Sequence, residues 1–129
     1  MKYLDKWQIS DIKAGCNEAC LFADTPDEYI HEGFILSTEA DKILDARCLE
    51  WITTNEKLIH AAIENNMESA QIGRDYYFDG AGHGVGFQDR DLPPKLAEAL
   101  TKSCLYDLSD LYLYVVDGNE KAGELEISI

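Results

Sequence analysis

His83 sits in a run of glycines, Gly80-Ala81-Gly82-His83-Gly84-Val85-Gly86, with Asp75, Asp79 and Asp89 close by in sequence. A titratable imidazole, three carboxylates and backbone open to close approach are the parts of a metal or ligand site, or of a general base. The spacing matches no phosphate loop, since no Gly-Lys-Ser or Gly-Lys-Thr and no βαβ unit follows the glycines. Set beside the ligand site (Asp75, Asp79, His83 and Asp89) is a structural alternative, in which the glycines supply positive φ to a tight turn.

Cys16 and Cys20 lie one helical turn apart, a spacing suited to a metal or a redox pair. Cys48 and Cys104 arrive singly, and all four fall on or beside apolar faces, where a thiol acts as a small hydrophobe. Burial in the core is therefore expected, with no cofactor and no metal. No serine stands in a nucleophile elbow, and no Ser/His/Asp or Cys/His set can be defended from spacing. His31 and His60 are isolated. A non-enzymatic protein is the expected class.

Charge carries a different signal. The chain has 129 residues, 25 acidic and 11 basic, for a net charge of −14. That disfavours direct contact with nucleic acid or an anionic membrane and favours a basic partner. Residues 69 to 103 are nearly neutral, with five acids and four bases, whereas 104 to 129 hold six acids and one base. Glu124 and Glu126, two apart on a strand, project the same way at about 6.6 Å, of the order of successive phosphates. Asp110, Tyr112, Tyr114, Glu124 and Glu126 therefore form a candidate acidic partner-binding face. The plain alternative is an ordinary solvated sheet face.

These residues need elements to hold them. Apolar residues make up 46% of the chain, ordinary for a globular protein, and the length suits a single domain over 1–129. Few cysteines and no amino-terminal apolar run point to a reducing cytosol, and no stretch approaches the about 20 apolar residues of a membrane span. Met1 to Ser10 shows no clear period. Ile12, Gly15, Cys16, Ala19 and Cys20 mark a helix capped by Ser10 or Asp11; Ala40, Ile43, Leu44, Cys48 and Trp51 mark a second, capped by Ser37 or Thr38. Thr53 with Glu56 reads as a capping box for a third through Ile63, and Met67 to Ile72 as a short turn ending at Gly73.

Residues 73 to 90 read as a hairpin, with Tyr76 and Phe78 alternating with Tyr77 before the glycines, and Val85 and Phe87 with Gly84 and Gly86 after them. Asp91 then caps a helix with Pro93 and Pro94 in its first turn. Leu111 to Val116 and Glu124 to Ile129 alternate as strands, with Leu113, Leu125, Ile127 and Ile129 inward. The fold expected is α+β: amino-terminal helices packed on a four-stranded antiparallel sheet, β-β-α-β-β in the carboxy-terminal half.

Gly73, Asp75, Tyr76, Tyr77, Gly82, His83, Gly84, Gly86, Phe87, Asp89 and Arg90, followed by Ser103, Cys104, Leu111 and Tyr112, carry a resemblance. The chain resembles a family of small acidic proteins encoded by phages, prophages and other mobile elements. In that family a stretch like G-H-D-F-W-L-T-R-N-G-H-G-A-G-F-W-D-R precedes a helix and an S-C-D-L-Y-V-like strand. Here Arg74 replaces histidine, Tyr77 and Gln88 replace tryptophans, and residues are inserted between Cys104 and Leu111. The family has no established activity, so the resemblance implies a setting in a bacterial cytoplasm and no catalytic residue. With the charge, it leads to the expectation of a protein-binding module: an anti-CRISPR or anti-restriction inhibitor that mimics nucleic acid and binds a basic, nucleic-acid-handling host protein. The alternatives are an enzyme or ligand-binding protein using the His83 turn, or a phage assembly accessory that self-associates through Tyr112, Tyr114 and Phe87.

Overall fold

Helix α1 starts earlier than the apolar stripe announces, because Asp5 and Gln8 form a reciprocal cap: Gln8 N–H donates to Asp5 Oδ1 at 2.8 Å, and Asp5 N–H to Gln8 Oε1 at 3.0 Å. It runs over Lys6–Asp24, in a computed structural model that describes all residues, 1–129. A two-residue strand β1 (Ile35–Leu36) follows, then α2 (Thr38–Thr54), α3 (Glu56–Glu64), α4 (Ser69–Ala81), α5 (Pro94–Cys104), β2 (Tyr112–Tyr114) and β3 (Glu124–Ser128). Ser37 caps α2, its Oγ accepting the Ala40 N–H at 3.0 Å and donating to Glu126 on β3 at 2.6 Å. One side chain thus ties a helix start to the sheet.

The sheet is smaller than expected and mixed. It has three strands in the order β1-β3-β2, with β3 central, parallel to β1 (Ile35 beside Glu124) and antiparallel to β2 (Leu113 beside Ile127). The α+β class stands, but the four-stranded antiparallel sheet and the β-β-α-β-β order do not. Residues 73 to 90 form no hairpin: most of α4, a glycine loop and a 3₁₀ turn at Phe87–Asp89 take its place. The physical reason is the helical stripe Ile72, Asp75, Tyr76, Asp79 and Gly80, all buried. It follows the i, i+3, i+4, i+7, i+8 rule, but two of its members are carboxylates, so a count of apolar residues misses it.

Gly15 and Gly73 let α1 and α4 touch backbone to backbone. A Cβ on Gly73 would lie 2.7 Å from the Ile12 carbonyl carbon and 2.9 Å from Cys16 N, and one on Gly15 would lie 2.8 Å from the Ala70 carbonyl carbon. Gly73 is thus inside α4 for its lack of a side chain, and the expected turn over Met67 to Ile72 is absorbed into the helix start. The Thr53–Glu56 capping box does not form; Thr53 Oγ1 donates to Leu49 O, and Glu56 accepts the N–H groups of Tyr3 and Leu4. Helix α5 is preceded by Pro93, with Pro94 at its first position, rather than capped by Asp91.

One buried cluster joins these elements. It includes Ile12, Cys16, Cys20, Leu44, Cys48, Trp51, Ile59, Ile72, Tyr76, Leu100, Cys104, Leu125 and Ile127. The inner sheet residues Leu36, Leu113, Leu125 and Ile127 contribute to it, whereas Ile129 is exposed rather than inward. All four cysteines are buried and free. Burial pushes the Cys20 thiol up to about 12, which leaves it protonated and unreactive near neutrality. No helix is long and apolar enough to cross a membrane.

Candidate functional site

The stretch from α4 to α5 is built by returning bonds. Gly82, in the left-handed region at φ 77°, ends α4, and the following His83 N–H donates to Phe78 O at 2.9 Å, a reversal that glycine makes without steric cost. The loop then closes on the helix it left. Asp79 accepts the Phe87 N–H at 3.0 Å, and Asp89 accepts the Gly86 N–H at 2.9 Å. Gly86 packs directly on the Asp79 carboxylate, in a place a Cβ would occupy. Arg90 reaches back to the wholly buried Asp75 with two bonds of 2.7 Å, and Gln71 adds a third at 2.9 Å. Phe87 is buried against Trp51, ring centroids 6.0 Å apart. It cannot serve a subunit contact, so that part of the assembly reading is corrected.

The four residues of the expected ligand site therefore divide three ways. Asp75 is committed to Arg90. Asp79 and Asp89 line one cavity beneath the glycine loop. His83 turns elsewhere: its Nε2 lies 3.0 Å from Asp24 Oδ2, at the end of α1, and Tyr77 donates its hydroxyl to the same oxygen. Burial, then the nearby Cys20 and Asp24, push the Tyr77 phenol far up, so it stays a donor. His83 is exposed and has no hydrogen bond to a serine, threonine or cysteine. The His83–Asp24 pair can orient an imidazole but has no nucleophile to activate.

The groups found only in three dimensions are Asp24, Thr101 and Tyr106. Asp24 lies 59 residues from His83, and no spacing rule connects them. Thr101 is buried on α5 with its hydroxyl unpartnered, and Tyr106 holds a left-handed backbone, φ 65°, with its ring against Gly82. Asp79 is raised by burial first, and the charges of Asp75 and Asp89 add to the shift. No three His, Cys, Asp or Glu side chains converge as a metal cluster.

The acidic face has a definite geometry. Tyr112 and Tyr114 point outward from β2, exposed, with ring centroids 6.0 Å apart. Tyr114 pairs across the ladder with Glu126, and the exposed Ile35 with Glu124. Glu124 and Glu126 are half-buried rather than free, and Glu126 is engaged by Ser37. Asp110 is exposed just before β2. A separate depression of about 490 Å³ beside Trp51 has polar groups already partnered, Trp51 Nε1 to Ser103 Oγ and Arg47 to Asp107 O, both at 2.8 Å.

No protein-family model matches the chain, and neither a curated protein nor a solved structure shows a significant match.

Proposed function

We propose that the protein is a non-enzymatic binding module whose outer sheet face receives a basic protein surface. The observation that carries this reading is the composition of that face. Tyr112, Tyr114, Ile35, Glu124 and Glu126 share it, and no lysine or arginine occurs in any of the three strands. Exposed tyrosines beside carboxylates supply contact area and charge together, the combination that suits a patch rich in arginine. The net charge of −14 adds long-range attraction to such a partner. A nucleic-acid-handling host protein has a surface of this kind. The resemblance to mobile-element proteins gives the reading its biological form, an anti-restriction or anti-CRISPR inhibitor standing in for nucleic acid.

The test is capture from bacterial lysate at low salt and at about 1 M salt, where the screening length falls to about 3 Å. Two variants accompany the wild type: Glu124→Lys, and Glu126→Gln, which keeps an acceptor for Ser37. The expected result is one or a few nucleic-acid-binding proteins, released by salt and lost with Glu124→Lys while the melting temperature is unchanged. Capture that survives both salt and Glu124→Lys refutes the sheet face.

A further inference from the structure

The cavity beneath the glycine loop shares no residue with the sheet face, and its two carboxylates each spend one bond on the loop backbone. Its volume is about 240 Å³, below the roughly 300–1,000 Å³ of drug-sized sites, so its occupant is small. Asp79, Asp89, Gln88, Thr101 and Tyr106 line it, together with glycine backbone. Two features need an occupant. Thr101 is 8% exposed, and its Oγ1 meets no partner in good hydrogen-bond geometry, only a weak contact with the Asp79 carboxylate that favours its charged form. A buried hydroxyl left so costs free energy that a ligand would recover. Charge is also unbalanced: Arg90 gives its bonds to Asp75, and neither Asp79 nor Asp89 has a salt-bridge partner.

We propose that this cavity binds a guanidinium cation, held by the Asp79 and Asp89 carboxylates and the Thr101 hydroxyl, with Tyr106 as its aromatic wall. A guanidinium offers five donors and no acceptor, which matches a lining dominated by acceptors, and its flat face is attracted to an aromatic ring. A compact metal ion fits less well, because only two carboxylates converge. The glycines let the cation approach backbone carbonyls that side chains would cover. The cation is supplied either by a small free molecule or by an arginine side chain of another protein.

Methylguanidinium and N-acetyl-arginine amide are titrated into isotope-labelled protein while the amides of Gly84, Gly86, Gln88 and Thr101 are followed by NMR. Saturable shifts confined to those amides are expected with both probes. Equal affinity would identify a free small cation, and clearly tighter binding of the arginine amide a protein side chain. Thr101→Val should weaken binding about tenfold yet raise the melting temperature without ligand, because the unpartnered hydroxyl is gone. Asp89→Asn, which keeps an acceptor for the Gly86 N–H, should weaken it at least as much. The proposal is overturned by absence of saturable shifts, by unchanged affinity in folded Thr101→Val and Asp89→Asn, or by a tighter saturable response to Ca²⁺ alone.

Discussion

Replacing Arg90 by methionine removes the one cation that meets a carboxylate with no exposure to water. Arg90 holds both oxygens of Asp75 at 2.7 Å, and its own side chain is 34% exposed against 0% for Asp75. Breaking a fully buried pair by deleting one partner costs about 3–5 kcal/mol. Partial solvation of Arg90 and the surviving Gln71 bond place this case at the low end, about 3 kcal/mol. The converse change, Asp75→Asn, frees a guanidinium that can turn to water and should cost only about 1–2 kcal/mol. Because the double variant buries no lone charge, it should be more stable than Arg90→Met alone, which requires a coupling larger than the cost of Asp75→Asn, about 2–3 kcal/mol. Urea unfolding followed by circular dichroism and by fluorescence reads all three; Trp51, buried with its ring centroid 4.7 Å from that of Tyr76, reports on the core nearby. A domain with about 5–15 kcal/mol of stability survives each change, so the ordering is measurable. If Arg90→Met costs less than about 1 kcal/mol, or less than Asp75→Asn, the argument from unequal burial is wrong.

Gly73→Ala should destabilise by about 3 kcal/mol or more, because the groups a Cβ would meet are backbone atoms of α1 that cannot turn aside. A gain near the about 1 kcal/mol that alanine gives an ordinary helix position would instead refute the close α1–α4 crossing. Asp79 sets a pH dependence of definite sign. Its folded carboxyl is raised by burial, so the stabilisation from holding that proton is complete below the unfolded value of about 3.9 and is lost as pH rises through the folded value. Wild type should therefore gain on Asp79→Asn as pH falls from 7 toward 4, and a constant difference in unfolding free energy would sink the assignment.

Several elements were legible because neighbours in sequence settle them. The apolar stripes of α1 and α2 lie on their buried faces, and the alternation around Leu113 and Leu125–Ile127 gives the two strands with the correct faces inward. Tyr112 and Tyr114 point out as their register requires. Helix α4 was hidden for the opposite reason. Its stripe has helical spacing, but two of the members are Asp75 and Asp79, which are buried only because Arg90, Gln71 and the Phe87 N–H meet them. Strand β1 has two residues, too few to show any period, and exists because Ile35 N and Ser37 N donate to carbonyls on either side of the β3 register.

Composition, charge, the helical stripes, the β2–β3 alternation and the glycine-rich motif belong to the sequence itself, since each depends on residue type and short spacing. Tertiary structure decided what the motif does. It paired Asp75 with Arg90, turned His83 to Asp24, buried Phe87 and placed Thr101 across from Asp79. Each of those outcomes depends on which distant backbone lies alongside, and on whether a polar group can be satisfied there once water has gone.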